Sequence, residues 1–188
     1  MNKICIFCSA SDEIDETYFT AANNIILKFI ELEYDLVYGG SNLGLMGFTA
    51  KIFHENKRKV TSIIPEKIFK AVGNPDFVED CFVVNSMHER KLKMREMSDC
   101  FMALPGGFGT FEELLEVITL KQLGYIDQPI VIANINGYFD DLVVAFERIF
   151  TEKFAKPEFR DLYLVSANPQ HIVRYVSEYE PFNKNGFL

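Results

Sequence analysis

Short apolar runs alternate with longer amphipathic segments along almost the whole chain. Apolar runs without alternating polar residues are typical of parallel strands that are covered on both faces. The pattern predicts strands over residues 3–8, 35–38, 60–64, 82–84, 99–104, 129–133 and 162–165. It predicts helices over residues 16–33, 44–55, 87–97, 111–124 and 138–153, then a C-terminal helix, and it leaves 66–79 irregular. We therefore predict an α/β fold, a Rossmann-like doubly wound parallel sheet with helices on both faces, as a single domain over residues 1–188.

The segment 105–113, Pro-Gly-Gly-Phe-Gly-Thr-Phe-Glu-Glu, lies between a predicted strand and a predicted helix. Glycines let backbone N–H groups approach a ligand closely, and a helix that begins near Thr110 adds free amides and a positive dipole end. The candidate anion contacts are Gly106, Gly107, Gly109 and Thr110. Glu112 or Glu113 beside a phosphate would repel it, so one of them is expected to face another part of the ligand, such as sugar hydroxyls. The segment indicates a phosphorylated sugar or a nucleotide.

Helix capping is the alternative interpretation of the same residues. Thr110 and Glu113 have the spacing of a capping box, in which the threonine caps the helix and the glutamate reaches back to the cap amide. Helix initiation alone would explain both residues, and the segment by itself leaves the two interpretations open.

A second glycine-rich turn, Gly-Gly-Ser-Asn-Leu-Gly-Leu-Met-Gly at 39–47, also follows a predicted strand. Its spacing is neither the G-x-G-x-x-G of dinucleotide-binding proteins nor the G-K-[ST] ending of a phosphate loop. Gly39 and Gly40 lie nearest the strand end, where doubly wound sheets bind ligands, and they are candidate ligand contacts. Gly44 and Gly47 are expected to serve tight turns and helix packing.

The predicted helix at 87–97 carries an arginine among methionines. At helical spacing, Arg90 shares one face with Met87, Met94 and Met97. A guanidinium among apolar side chains needs an anionic partner or a route to solvent. Arg90 is therefore a candidate ligand-binding residue, with two alternatives: its stem runs along the stripe to solvent, or it pairs with a neighbouring carboxylate. Met87 is a further candidate substrate contact.

The other polar residues of this helix have simpler expected roles. Ser86 and Glu89 have the spacing of another capping box at its start. Three basic residues are expected to be solvated charges, namely Lys91, Lys93 and Arg95. His88 is assigned no catalytic role, because a histidine beside a cap is usually a surface residue.

Charge and cysteine usage exclude several classes of partner. The formal net charge of −8 argues against a nucleic-acid groove or an anionic membrane surface. No apolar run is long enough to span a bilayer, so we expect no membrane association and a cytoplasmic location. Cys5 and Cys8 form a C-x-x-C within the first predicted strand and are expected to be structural thiols. Cys81 and Cys100 stand alone on other strands, so no metal is expected.

Four segments, taken together and in this order, resemble the Lonely Guy family of phosphoribohydrolases, whose members are often mislabelled lysine decarboxylases. They are Val37-Tyr38-Gly39-Gly40, Gly44-Leu45-Met46-Gly47, Ser86-Met87-His88-Glu89-Arg90-Lys91 and the segment 105–113. The resemblance covers nearly the whole chain. It departs from the family at 70–73, where this chain reads Lys-Ala-Val-Gly and many relatives carry a substrate-contacting glutamate.

The resemblance implies roles for individual residues. The family's catalytic arginine and glutamate correspond to Arg90 and Glu113. The turn that holds the 5′-phosphate corresponds to Gly107, Gly109 and Thr110. Neighbouring substrate contacts correspond to Lys91, Glu112 and Thr119. The decarboxylase label implies pyridoxal phosphate, which needs a Schiff-base lysine and usually a much larger fold, so no cofactor is expected.

The hypothesis that follows is hydrolysis of the N-glycosidic bond of a purine nucleoside 5′-monophosphate, with an adenine-type or cytokinin base, to free base and ribose 5-phosphate. Glu113 would stabilise the positive charge that develops on the ribose, hold its hydroxyls, or activate water. Arg90 would orient and stabilise the substrate, because a guanidinium is a poor proton donor. The alternatives are a non-catalytic protein that binds nucleotides or molybdenum cofactor, and a nucleotide-dependent regulatory module. The resemblance also implies a homodimer.

Overall fold

The computed structural model describes residues 2–78 and 80–182, apart from the side chain of Val72. The strands are β1 (Lys3–Phe7), β2 (Asp35–Tyr38), β3 (Val60–Pro65), β4 (Asp80–Val84), β5 (Cys100–Ala103), β6 (Ile130–Ala133) and β7 (Leu164–Ser166). The helices are α1 (Glu16–Glu31), α2 (Gly44–Glu55), α3 (Glu66–Val72), α4 (Met87–Glu96), α5 (Phe108–Gln122), α6 (Asp140–Thr151) and α7 (Pro169–Ser177). Short 3-10 turns lie at Ile135–Gly137 and Pro157–Leu162. Within the described residues, no helix has both the length and the apolar character that crossing a membrane requires.

All seven strands pair in parallel in one sheet, in the order β4-β3-β2-β1-β5-β6-β7. The chain moves outward from β1 to β4, crosses back over β1, and then moves outward again from β5 to β7. The direction of winding therefore reverses between β1 and β5, and the crevice at their carboxyl ends is where such sheets bind ligands. The predicted doubly wound α/β fold is confirmed.

Apolar side chains cover the sheet on both faces because successive strand residues point to opposite sides. In β1, Ile4 and Ile6 belong to a core with α1, α2 and α7. Cys5 and Phe7 belong to the opposite core, with side chains from α4, α5 and α6. Uninterrupted apolar strands are thus explained by burial on both faces, as the sequence pattern indicated.

The segment predicted to be irregular contains a helix, α3. Pro65 is its N-cap, Glu66 pairs with Lys70 across one turn at 2.6 Å, and Gly73 ends it with a φ of 70°. A helix of this length offers too few turns for an apolar period to stand out in the sequence.

The first-strand cysteines are buried free thiols. Burial raises the pKa of Cys5 and of Cys8 well above the usual range of a thiol, with the Glu113 carboxylate acting in the same direction. A thiol that does not ionise is a poor nucleophile, which agrees with the predicted structural role.

Lys121 is a buried cation that the sequence did not single out. Its side chain lies on α5 and is 1% exposed, and its Nζ has no hydrogen-bond partner among the described residues. The Nζ lies 4.5 Å from the centroid of the Tyr179 ring. Burial lowers the pKa of Lys121 to about 8, against a smaller opposing effect of Asp127. The amine therefore stays charged at pH 7, but its charge is less favourable in the folded protein than in water.

We predict that Lys121→Met raises the free energy of unfolding at pH 7 by up to about 3 kcal/mol. In the unfolded chain the lysine binds its proton up to about pH 10.4, so the unfolded state holds more protons than the folded state between pH 8 and 10. The wild-type free energy of unfolding should accordingly rise across that interval, and the variant should lose this rise. Urea unfolding at pH 7, 8 and 9.5 measures both effects. Lys67→Met, at an exposed lysine of α3, is the control and should keep the wild-type slope; an unchanged slope in Lys121→Met would contradict the prediction.

Candidate active site

Three loops meet at the carboxyl ends of β1, β2 and β5. The Ser9 N–H, after β1, donates to the Pro105 carbonyl, after β5, at 3.1 Å. The Ser9 carbonyl accepts from the Met46 N–H of α2 at 3.0 Å. Both predicted glycine turns therefore lie beside the crevice where the winding of the sheet reverses.

The glycine turn after β5 leads directly into α5. Gly107 is the N-cap, and the first hydrogen bond of the helix runs from the Phe111 N–H to the Gly107 carbonyl at 3.2 Å. The amides before Phe111 lie ahead of that bond and have no acceptor within the helix. A Cβ added to Gly107 or Gly109 would meet nothing within 4 Å, so the turn is open at both positions. These amides are candidates to bind a phosphate. We therefore use the name phosphate cradle for the open turn over residues 106–110 and the first turn of α5.

Gly106 and Thr110 form the closed side of this cradle. A Cβ on Gly106 would lie 2.0 Å from the Thr110 Oγ1 and 2.9 Å from the Ser9 nitrogen. Thr110 is buried. Gly106 is therefore required for close packing, whereas Gly107 and Gly109 keep the turn accessible.

The alternative interpretation, a capping box formed by Thr110 and Glu113, is wrong. Because α5 begins at Phe108, Thr110 lies inside its first turn, and Gly107 as N-cap has no side chain to form a cap hydrogen bond. Of the box predicted at the start of α4, the serine half is present: Ser86 is the N-cap, and its Oγ accepts from the Glu89 N–H at 3.1 Å. The Glu89 carboxylate accepts in turn from the Asn85 N–H at 2.9 Å.

Glu113 instead pairs with Arg90. The Arg90 Nη1 and the Glu113 Oε1 are 3.0 Å apart, and the two side chains are 8% and 5% exposed. The Arg90 Nε also donates to the Ile63 carbonyl of β3 at 3.2 Å. Of the alternatives for Arg90, the route to solvent is wrong, and pairing with a carboxylate is what the structure shows. Met87, half-exposed at the start of α4, places its Sδ 4.0 Å from the Arg90 Nη1.

Burial raises the pKa of Glu113, and the adjacent Arg90 guanidinium acts against that rise. The carboxylates of Glu112 and Glu116 act with burial. A carboxylate held in this way can stabilise positive charge, and a raised pKa makes it a better acceptor of a proton from water. The permanent charge of Arg90 suits orientation and charge stabilisation.

Gly39 and Gly40 are buried. A Cβ on Gly39 would lie 2.1 Å from the Arg90 Nη2, so only glycine lets the guanidinium take its position. Gly40 has a φ of 86°, and a Cβ there would lie 3.0 Å from the Cβ of Ile64. Gly39, a predicted ligand contact, therefore leaves room for the Arg90 guanidinium. Gly40, the other predicted contact, shapes the turn.

The start of α2 is occupied by a carboxylate of the chain itself. The Asp12 Oδ1 accepts from the Gly44 N–H at 2.7 Å. A Cβ on Gly44 would lie 2.6 Å from the Ser11 carbonyl oxygen, and one on Gly47 would lie 2.1 Å from that of Asn42. The predicted packing roles of both glycines are confirmed. Of the two glycine turns, the one before α5 is thus the better candidate for an anion site. Nothing in the sequence indicated the part played by Asp12.

An ion-pair network joins α4 to α5 beside the Arg90–Glu113 pair. Lys91 pairs with Glu112 and, at 3.2 Å, with Glu116, which also binds the Arg95 Nη1 at 3.1 Å. Lys93 places its Nζ 4.5 Å from the centroid of the Phe82 ring. The prediction that Lys91, Lys93 and Arg95 are simply solvated is wrong. Acidic residues of α5 pair with Lys91 and Arg95, and an aromatic residue of β4 lies beside Lys93.

Thr119 is not brought to the other predicted site residues within one chain. It lies on α5 with Leu115 and Ile118, and lines an apolar surface hollow of about 140 Å³ that also includes Phe146 and Ile149 of α6. Thr119 lies six residues after Glu113, so the two side chains point to different sides of α5.

Comparisons with known proteins agree with the predicted resemblance. The family model described as "Possible lysine decarboxylase" matches residues 46–176. The cytokinin riboside 5′-monophosphate phosphoribohydrolase LOG5 of Arabidopsis thaliana is 36% identical over 181 residues, which cover 96% of this chain and 79% of that protein. LOG7 of the same plant, with the same named activity, is 37% identical over 179 residues, covering 95% of this chain and 82% of its own length.

Solved structures show the same fold at lower identity. A molybdenum cofactor carrier protein from Chlamydomonas reinhardtii has a TM-score of 0.70 and 17% identity, over 94% of this chain and 96% of that one. The molybdenum cofactor binding protein of Rippkaea orientalis has a TM-score of 0.68 and 15% identity, over the same shares of the two chains. The family itself follows from the matched model and from the relatives that align along almost the whole chain: this protein belongs to the Lonely Guy family, whose model is described as a possible lysine decarboxylase.

Proposed function

We propose that this protein hydrolyses the N-glycosidic bond of purine nucleoside 5′-monophosphates, with an adenine-type or N6-substituted cytokinin base, and releases the free base and ribose 5-phosphate. The observation that supports this most directly is the buried Arg90–Glu113 pair beside the phosphate cradle. The named activity of the relatives, which is phosphoribohydrolysis of cytokinin riboside 5′-monophosphates, supports the same reaction.

In the proposed reaction, the phosphate binds the amides of the cradle and fixes the ribose relative to Glu113. As the glycosidic bond breaks, its electron pair leaves with the base and positive charge develops on the ribose, which the Glu113 carboxylate stabilises. A water oxygen then bonds to the anomeric carbon, and one proton of that water passes to Glu113, whose raised pKa suits that role. The departing base takes up one proton from bulk water and Glu113 releases one to it, so the reaction consumes one water in all. Arg90 holds Glu113 and the substrate in place, while Lys91 and Glu112 contact the substrate at the edge of the site.

The non-catalytic alternative has weaker support. The molybdenum cofactor proteins share the fold at 15–17% identity, and a fold by itself does not determine function. The relatives with a named hydrolytic activity are about twice as similar in sequence. We also propose that residues 1–188 act as one domain in the cytoplasm, where free cysteines such as the four of this chain persist.

Glu113→Gln should lower kcat/KM for AMP at least about a hundredfold, because the amide keeps the size of the side chain and removes its charge. The variant also leaves the Arg90 charge buried without a counter-ion, so a lower free energy of unfolding, by about 3–5 kcal/mol, is expected as well. The activity is measured at 20 °C as the amount of adenine released, which chromatography detects. Circular dichroism at the same temperature checks that the variant is folded.

Arg90→Ala should damage turnover similarly, whereas the exposed His88→Ala should keep wild-type activity and serves as the control. Near-normal turnover by folded Glu113→Gln would contradict the catalytic assignment. If the wild-type protein released no base from any member of a panel of nucleoside monophosphates, binding without catalysis would be favoured.

AMP should be cleaved at least roughly a thousandfold more efficiently than adenosine, because binding energy from the phosphate is used to position the ribose. Gly109→Ala sharpens this test. The added methyl group enters the open side of the cradle, where nothing of the protein lies within 4 Å, so we expect it to obstruct the phosphate without destabilising α5. Its kcat/KM should fall about tenfold or more for AMP and stay unchanged for adenosine. Equal wild-type rates for the two compounds would contradict the cradle assignment.

The protein should form a homodimer, or a larger assembly built from it, through α4 and α5. The chain contains 18 phenylalanines and eight tyrosines, and both helices expose large apolar side chains, among them Leu92, Leu115 and Leu123. Thr119 lies on the exposed side of α5, from which it would reach the site of the second copy. Light scattering at micromolar concentration should give at least twice the 21.6 kDa of one chain, and Leu115→Glu should weaken the assembly. A fully active monomer would contradict the shared site.

A further inference from the structure

One side chain outside the predicted site is bonded directly to the phosphate cradle. The hydroxyl of Tyr138, in the loop between β6 and α6, donates to the Gly106 carbonyl at 2.6 Å. Gly106 is part of the turn that begins α5, and the two residues are 32 positions apart in the chain. Nothing in the sequence of either loop indicates this bond.

The loop that carries Tyr138 is held by several further contacts. The Tyr138 N–H donates to the Ile135 carbonyl at 3.0 Å, and the Asn134 Oδ1 accepts from the Phe139 N–H at 2.7 Å. The Asn136 Nδ2 donates to the Thr17 Oγ1 of α1 at 3.1 Å. The Tyr138 hydroxyl therefore reaches Gly106 from a loop that is fixed on both sides.

The ring of Tyr138 is also packed. It meets the Tyr18 ring edge-on, with centroids 6.0 Å apart, and the Phe139 ring edge-on at 5.0 Å. Such contacts orient an aromatic side chain independently of its hydroxyl. Removal of the hydroxyl alone would thus leave the ring in place.

The hydrogen bond acts on the orientation of one peptide group. The carbonyl of Gly106 and the N–H of Gly107 belong to the same planar unit and point in opposite directions. A bond that holds the carbonyl toward Tyr138 therefore directs the Gly107 N–H away from it, on the side of the open turn. Two successive glycines have little conformational preference of their own, so the orientation of this peptide depends on outside contacts.

We propose that Tyr138 is a positioning residue for the phosphate cradle, which orients the Gly106–Gly107 peptide so that the Gly107 N–H meets the phosphate of the substrate. This role rests on the proposed function of the same site. Without the tyrosine hydroxyl, the peptide rotates more freely, and part of the binding energy of the phosphate is used to order it.

A purely structural role for Tyr138 would have different consequences. Loss of a loop contact would lower stability and affect every substrate alike. A positioning role affects compounds that carry a phosphate and spares those that lack one, because only the former use the Gly107 N–H.

The test compares wild type with Tyr138→Phe and with Tyr18→Phe, a matched control that removes a hydroxyl from the ring packed against Tyr138. For Tyr138→Phe we expect KM for AMP, and the Kd for ribose 5-phosphate from calorimetry, to rise about tenfold, the loss expected when one directed hydrogen bond to an anion is weakened. The kcat for AMP and the kcat/KM for adenosine should stay within about twofold of wild type. Tyr18→Phe should match wild type in all of these.

Three outcomes would overturn the proposal: unchanged AMP and ribose 5-phosphate constants in Tyr138→Phe, an equal loss for AMP and adenosine, or the same loss in Tyr18→Phe. If wild type binds ribose 5-phosphate and releases no base, the proposed hydrolysis fails while the calorimetric comparison still decides the role of Tyr138. If wild type neither binds nor cleaves these compounds, both the proposed function and the role of Tyr138 are wrong.

Discussion

The ion pair between Arg90 and Glu113 imposes the strictest requirement on the structure around it. Both charges are almost removed from water, and a buried charge is strongly unfavourable unless its partner and its hydrogen bonds are in place. The pair therefore needs α4 and α5 in one relative position, a β3 carbonyl beside the guanidinium and no side chain at Gly39. Because a pair of apolar residues would be easier to bury, the presence of these charges at the carboxyl ends of the strands is best explained by chemistry at that place.

Two helices begin beside the same crevice, and they differ in what binds the free amides of their first turns. The amides at the start of α2 are bound by Asp12, which the chain itself supplies. The amides at the start of α5 follow the glycine turn of the phosphate cradle. Thr110 packs against Gly106 in this turn, and the Tyr138 hydroxyl donates a hydrogen bond to the Gly106 carbonyl. No carboxylate of the described residues binds the start of α5, and the buried Glu113 lies about one helical turn further along this helix. This arrangement fits the proposed phosphate subsite and, beside it, the proposed subsite for developing positive charge.

The likeness to molybdenum cofactor proteins illustrates how far a fold constrains function. Those proteins superpose over almost the whole chain, yet their sequences agree at fewer than one residue in five. A doubly wound sheet places its ligand crevice at the reversal of winding whatever the ligand, and the side chains of the crevice then decide what is bound and whether it reacts. The phosphoribohydrolase relatives, which align at 36–37% identity, are therefore the better guide to the chemistry of this chain.

The sequence by itself determined the alternation of strands and helices, the parallel sheet and the glycine turns at strand ends, since apolar periodicity and the steric freedom of glycine act over a few residues. It also singled out Arg90 as a charge on an apolar face and, through family resemblance, Glu113 as a second candidate site residue. Only the tertiary structure decided that these two residues pair, that Thr110 is not a helix cap, that Asp12 occupies the start of α2 and that Tyr138 holds Gly106. Most of these contacts join residues of separate elements, and strand order and helix packing decide which elements meet. The local spacing of residues along the chain carries no information about such distances.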